Sequence, residues 1–552
     1  MKKFLSLVML SFMTMNASAQ QEIDGIYYNL NSETLTAEVV ENYDYYSGKI
    51  VIPETITFDG TTYSVTSIGE FSFYDCSSLS TVTLPSTITN IGMYAFQNCS
   101  SLKSINLPEG LTAIGEKAFG ECIDLVNMQV PGTIGTMGEG VFSGCISLED
   151  ITLGDGIKTL GASAFERCDM LESITIPSSV ESIDAWTFSN CISLKEIKLN
   201  EGITTIGECA FAFCYSLESL LLPESVNNIG NRAFANCESL SNITLSKNLT
   251  EIGDFIFDGC NILASIKCTG NTPAEVVNDK LLDYYKQTIL YVPVGTKDTY
   301  MSNKAWSKFD ECREITAETE VTDKLNKITY EGVNYVVCDF NNIARLIRYN
   351  KDEPYYGKII IPETVSVEGN TYDVKYIGSG AFEYCNELTS ITLPSSLEGI
   401  GEWAFSGCMV LARVDLPQGI KTIGAQAFYS CGSFMELTLP NSLEYIGDCA
   451  FAGCIYLSSI YSEINDPFII FENTFDFRED QTLYVPIGTI NDYKSTNYWW
   501  RFANIEEDEL LTIDNAAIDY EGKDVIYDIQ GRRVNNPTEG IYITKGKKIV
   551  IK

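Results

Sequence analysis

The stretch Cys76-Ser-Ser-Leu79-Ser-Thr-Val82-Thr-Leu84-Pro85-Ser-Thr-Ile88-Thr-Asn-Ile91-Gly92-Met-Tyr94-Ala95-Phe96-Gln-Asn-Cys99 decides the fold, because it ends on the residue type and context with which it began. Alternation around Val82 and Leu84 predicts a short strand with one face buried. Pro85 ends that strand, since it lacks the donor a β ladder needs. Ile88 and Ile91 then face inward, and Gly92 permits a tight bend. The return from Tyr94 to Cys99 is predicted to be a helical turn.

Outward from this unit, Cys76, Cys99, Cys122, Cys145, Cys168, Cys191, Cys214, Cys237 and Cys260 follow one another at intervals of 23 residues. Cys385, Cys408, Cys431 and Cys454 keep the same interval. Phe stands three residues before every one of them, from Phe73 to Phe257 and from Phe382 to Phe451. Gly stands seven before, except at Asp184, and Leu three after, except at Phe434. Self-similarity at this period specifies a solenoid. A coil buries roughly seven apolar side chains at about 1.5–3 kcal/mol each. Ordering its backbone costs about 1–2 kcal/mol per residue. One coil therefore cannot stand alone, and stacking must supply the difference.

The recurring Leu-x-x-Ile-x-Leu-Pro, followed by Ile-Gly and Ala-Phe-x-x-Cys, resembles the BspA-like leucine-rich repeats of bacterial surface proteins over residues 67–270 and 376–460. That resemblance implies a parallel sheet on a concave face with short helical turns outside. The expected fold class is thus an α/β repeat solenoid: two arrays, of nine and four coils, with β-rich caps and a small C-terminal β segment.

The chain also repeats on a larger scale. Gly48-Lys49-Ile50-Val51-Ile52-Pro53-Glu54-Thr55 returns as Gly357-Lys358-Ile359-Ile360-Ile361-Pro362-Glu363-Thr364, each ahead of an array. Turn signals at Asp59-Gly60 and Gly369-Asn370 predict hairpins that shield the first coil. Leu290-Tyr291-Val292-Pro293 and Leu483-Tyr484-Val485-Pro486 follow the arrays, each succeeded by Tyr300, Trp306 and Phe309 or by Tyr493, Trp499 and Phe502. These aromatics could form a binding box, but an open solenoid end needs a cover, and capping is the expected role. The expected organisation is a signal peptide over 1–19, a β cap over 20–66, the first array over 67–270 and its cap and linker over 271–316. A second β cap over 317–375, array over 376–460 and C-terminal cap over 461–510 precede a tail over 511–552. The leader rests on Lys2 and Lys3, the apolar run from Phe4 to Met15 and the small residues Ala17-Ser18-Ala19. The tail, with Val525 to Val534, Gly540 to Ile543 and Lys547 to Lys552 as short β segments, resembles the sorting tails of type IX (Por) export, which implies an extracytoplasmic destination at the cell surface or beyond.

Composition excludes several functions. The 552 residues carry 74 carboxylates against 37 Lys and Arg, a formal charge of −37. Such a surface repels phosphate backbones and anionic lipid, so nucleic acid is not an expected partner. No apolar run after the leader is long enough to span a bilayer. There is no histidine, which removes Ser/His and Cys/His nucleophile pairs and His-containing zinc sites. The repeat cysteines are expected to be buried thiols packing as small hydrophobes. A row of them does not converge tetrahedrally on a metal. Cys209 and Cys449, on the outer turn, lack any activating neighbour. Ser100-x-x-Lys103 has no companion motif, and Gly132, Gly135, Gly138 and Gly140 lack a phosphate-loop lysine. Neither cofactor nor metal is expected, and no carboxylate pair stands out for hydrolysis.

What remains is surface. The outward strand positions Thr81, Thr83, Ser104, Asn106, Asn127, Gln129, Asp150, Thr152, Ser173 and Thr175 form the candidate ligand face, mostly small and neutral on an acidic protein. Together with the resemblance they imply a non-enzymatic cell-surface or secreted protein that binds an extracellular protein in an adhesive role. A surface glycan-binding accessory protein for nutrient capture is the alternative.

Overall fold

A coil that cannot bury its own apolar face must hydrogen-bond to its neighbours on every side, and the computed structural model shows three such walls per coil. It describes residues 20–277, 287–315, 325–338, 341–348, 354–477, 479–508 and 511. The strands Ile526–Asp528, Arg533–Val534, Gly540–Thr544 and Lys547–Ile551 are described as backbone. The leader and residues 316–324 lie outside the described residues, as does most of the tail between 512 and 539. Two compact units divide the chain, Met1–Lys324 and Leu325–Lys552.

In the first unit, one wall is the predicted strand. Leu79–Thr83 pairs in parallel with Ser104–Ile105, Thr81 opposite Ser104 and Val82 opposite Ile105, a register of one repeat. This wall is built from separate ladders rather than one sheet: pairing is broken after Ser104–Ile105, after Asp150–Leu153 and after Glu196–Lys198. The second wall, which sequence showed only as Ile91 before Gly92, is a two-residue strand. Asn90–Ile91 pairs with Ala113–Ile114, and single bridges at Met137 and Thr159 carry the pairing on to Ser182–Ile183 and Glu275–Val276.

The third wall corrects an expectation. Tyr94 to Cys99 is not helical. The residues five and one before each repeat cysteine take left-handed backbone conformations in all thirteen coils, as at Tyr94 (φ 56) and Asn98 (φ 61) or Trp186 (φ 61) and Asn190 (φ 60). An α-helix cannot tolerate this. The reversals turn peptide groups outward along the solenoid, so that Phe73 N–H donates to Ala95 O at 2.7 Å and Phe96 N–H to Ala118 O at 2.7 Å. A left-handed non-glycine residue costs about 1–2 kcal/mol, and bonding to the next coil offsets it. Among the described residues, α-helix is confined to Lys297–Met301 and Ile490–Ser495, both in the caps.

The repeat glycines have a different role from the predicted bend. A Cβ on Gly92 would lie 2.6 Å from Glu70 N, and one on Gly138 would lie 2.5 Å from Glu116 N. At these two positions the coils stack at backbone contact and a side chain would not fit; in the thirteen coils the position carries a side chain once, at Asp184.

Inside the walls, the phenylalanines form one stack per unit. Phe73 to Phe257 lie 4.8–5.8 Å apart, and Phe382, Phe405, Phe428 and Phe451 about as close, with rings nearly parallel. Phe475 continues the second stack 5.2 Å beyond Phe451, so the cap prolongs the coil. At the other end Tyr46 and Tyr355 close the stacks against Phe73 and Phe382. Beside them every repeat thiol but the first of each array donates to a carbonyl of the preceding coil, Cys99 Sγ to Phe73 O at 3.0 Å and Cys454 Sγ to Phe428 O at 3.2 Å, while Cys76 Sγ accepts from Tyr46 N–H at 3.3 Å. All eighteen cysteines are free thiols, and all but Cys449 are buried.

The caps are hairpins and aromatic plugs. Thr55–Phe58 pairs antiparallel with Thr61–Ile68 across Asp59-Gly60, and Thr364–Val367 with Asn370–Ile377, where the turn residues are Glu368 and Gly369. At the C-terminal ends Tyr300, Trp306 and Phe309 are 1–2% exposed, as Tyr493, Trp499 and Phe502 are at 0–3%. Tyr300 Oη donates to Gly270 O at 2.9 Å and Trp306 Nε1 to Ala274 O at 2.9 Å. These rings cover the core and offer nothing to a ligand. The tail strands form a small antiparallel sheet in which Ile526–Asp528 lies between Arg533–Val534 and Gly540–Thr544.

Candidate binding surface

The strand wall of the first unit alternates by the period of two that any strand imposes. Val82, Ile105, Met128 and Ile174 point into the core, which turns Thr83, Ser104, Asn127, Gln129, Asp150, Thr152, Ser173 and Thr175 to solvent, with Thr81 half-buried. Parallel register puts like positions side by side: Asn127 opposite Asp150, Gln129 opposite Thr152, Ser173 opposite Glu196 and Thr175 opposite Lys198.

These side chains line two adjoining shallow concavities. One, of about 630 Å3, is lined by Thr81, Thr83, Ser104, Asn106, Asn127, Gln129, Asp150 and Thr152. The other, of about 520 Å3, shares Asp150 and Thr152 and adds Asp155, Ser173, Thr175, Glu196, Lys198 and Asn200. The first is neutral apart from Asp150, whereas the second brings three carboxylates around one lysine. The arrangement suits many weak polar contacts over several coils and assembles no nucleophile, base and oxyanion donor in the order acyl chemistry needs.

Asn106 is committed elsewhere. Its amide accepts from Leu84 N–H at 3.0 Å and donates to Leu84 O at 3.0 Å, replacing the backbone partner that the interrupted ladder would have supplied. Sequence reasoning could not separate it from its neighbours, since an outward Asn reads alike in either role.

The remaining motifs are structural. Ser100 Oγ donates to Ser77 O, and Lys103 N–H to Ser80 O, so the Ser-x-x-Lys spacing is a coil corner. A Cβ on Gly132 would lie 1.9 Å from Asp155 O, which explains that glycine by stacking. Cys209 is buried in a small apolar cluster, while burial and the nearby Asp448 push the Cys449 thiol up, away from reactivity.

Sequence reading missed one feature of the second unit. On its strand wall Thr438, Tyr461 and Tyr484 occupy one register row, and the two tyrosine rings stack at 4.8 Å and 12°. Their spacing of 23 residues was the available signal. It places them on one row only if the cap continues the coil.

The profile of the BspA type leucine rich repeat region matches residues 53–172, 158–275 and 363–478. No curated protein matches the chain. Among solved structures, a leucine-rich repeat protein from Bacteroides ovatus is 25% identical over 89% of this chain and 100% of its own, with a TM-score of 0.42. The leucine rich repeat protein of T. pallidum is 31% identical over 36% of this chain and 91% of its own, with a TM-score of 0.33. A leucine rich cell surface protein from Faecalibacterium prausnitzii is 23% identical over 89% of this chain and 96% of its own, with a TM-score of 0.33. No helix among the described residues is long and apolar enough to cross a membrane. With the matched segments spanning more than half of the sequence, and with their repeat period realised as stacked coils, the chain belongs to the BspA-type leucine-rich repeat family.

Proposed function

We propose that this chain is a non-enzymatic, extracytoplasmic binding protein that holds an extracellular protein partner against the strand wall of its first unit, in an adhesive role. One observation carries the reading: outward polar side chains of six successive coils line two adjoining concavities, a surface extended along the solenoid rather than closed into a reaction cleft. Stacked repeats build such faces from many small contributions. The leader-like start and the sorting-like tail support export to the cell surface or the medium.

Thr83, Thr152 and Thr175 are exposed and can be replaced by arginine without disturbing the core. Wild type and the triple variant are to be presented to immobilised extracellular matrix proteins and to a panel of polysaccharides. Capture on a protein that falls at least tenfold in the variant, with an unchanged melting temperature, is the expected result. Capture on polysaccharide alone would establish the nutrient-capture reading instead, and equal capture by variant and wild type would move the site elsewhere. Protease shaving of intact producing cells checks the location, since an exported surface protein is digested and a cytoplasmic one is not.

A further inference from the structure

The two C-terminal caps carry opposite chemistry at equivalent positions. The strand wall of the first unit ends in the register row Lys267, Tyr291, Arg313; that of the second ends in Tyr461, Tyr484, Glu506. In the first, the chain supplies its own cation: Arg313 donates to Tyr291 Oη at 3.3 Å and to Glu311 at 2.9 Å, and Tyr291 is buried. In the second, the arginine position is a glutamate. The tyrosines are half-buried and stacked on each other, and among the described residues no cation lies over either ring.

The row leaves one ring face uncovered. Thr438, one coil before Tyr461, is short and exposed, so the face of Tyr461 that looks away from Tyr484 has space over it about one strand spacing wide. Glu436, two residues before Thr438 and so on the same face of its strand, flanks this space, whereas Glu506 lies at the other end of the row, beyond Tyr484. Burial, then Tyr484, then the charges of Glu436 and Asp508 push the Tyr461 phenol up, and Glu506 is exposed opposite Tyr484. Arg413, whose charge also acts on Glu436, is paired with Asp415 at 2.6 Å. An aromatic face with a carboxylate beside it is complementary to a lysine or arginine side chain, which binds a ring by its charge and carboxylates through charge-assisted hydrogen bonds.

We propose that the Tyr461–Tyr484 stack, with Glu436 on the Tyr461 side and Glu506 on the Tyr484 side, is a docking site for a basic segment of a partner protein, one lysine or arginine side chain lying over Tyr461 beside Glu436. The inference rests on reading the strand walls as binding surfaces and gives the partner of the second unit a basic character.

The test uses the full chain and a fluorescent dodecapeptide of alternating Gly and Arg, with a Gly–Glu peptide and a neutral soluble glucan as comparison probes. Anisotropy titration is expected to show binding of the Arg peptide only. The pair Y461S/Y484S should weaken it at least fivefold, while Y461F/Y484F, which keeps the rings, stays within twofold of wild type. The pair E436Q/E506Q, on exposed side chains, should weaken it and flatten its salt dependence; it decides the matter if the serine pair lowers the melting temperature. Equal affinity in wild type and in both the serine and glutamine pairs would overturn the proposal. So would a phenylalanine pair as weak as the serine pair, or binding of the glucan in place of the peptide. The arginine variant at Thr83, Thr152 and Thr175 should leave this peptide's affinity unchanged, so failure here and failure of the first-unit surface are separate results.

Discussion

Replacing Gly115 by alanine probes the contact on which the stack depends. The added Cβ would stand 2.4 Å from Met93 N and 2.7 Å from both Gly92 C and Met93 Cα. All three are backbone atoms of the preceding coil, so no side chain can swing aside. Reaching ordinary contact requires the coils to part by about 1 Å at this corner. The bonds that cross it, Gly115 N–H to Ile91 O at 2.9 Å and Tyr94 N–H to Glu116 O at 2.8 Å, would then be lost. Two such bonds contribute about 1 kcal/mol each, and overpacking adds about 1–3 kcal/mol, so destabilisation on the order of 3 kcal/mol is expected. Gly135→Ala is the matched control: it lies in the same array, its Cβ meets nothing within 4 Å, and its φ is outside the left-handed region. There, alanine should be neutral or stabilise by about 0.4–1 kcal/mol through the unfolded chain. Urea unfolding of both variants, followed by far-UV circular dichroism, should place Gly115→Ala about 1 M below wild type and Gly135→Ala at or above it. Coincident midpoints for the two variants would refute the claim that coils meet at backbone contact.

The buried thiols give a pH dependence. Burial raises Cys76 from 9.0 to about 11 and Cys145 and Cys385 to about 12. Unfolded thiols therefore ionise first, so stability holds below pH 9 and falls from there through pH 11 to 12; a urea midpoint that stays flat between pH 8 and 10.5 would contradict it. The same burial predicts no reaction of the native repeat thiols with a disulfide reagent, and eighteen titratable thiols once the chain is unfolded without reductant. Asn106→Ala should cost about 1–3 kcal/mol by leaving the Leu84 peptide groups unpaired, whereas Thr83→Ala should stay within about 0.5 kcal/mol of wild type; thermal melting of the two separates them. Trp499→Ala should cost about 3–5 kcal/mol and expose the end of the second core, read as increased binding of a hydrophobic dye.

Residue spacing alone determined the solenoid. Burial of one side chain per coil must recur at the coil's own period, so Phe73, Cys76, Leu79 and Val82 and their successors write the interior directly into the sequence. The caps were legible for a related reason: an end must be covered, and two units covered theirs with the same segments, ending in Trp306 and Trp499. Left-handed turns in the third wall were not legible, because Tyr94, Lys117, Trp186 and Arg232 share no local preference for them. Their conformation is held by hydrogen bonds to another coil, which only stacking creates. Register likewise decided that Asn106 serves the backbone of Leu84 while Thr83 faces solvent, and that Tyr461 meets Tyr484 where Lys267 meets Tyr291. Period is a property of the chain, and contact between coils is a property of the space around it.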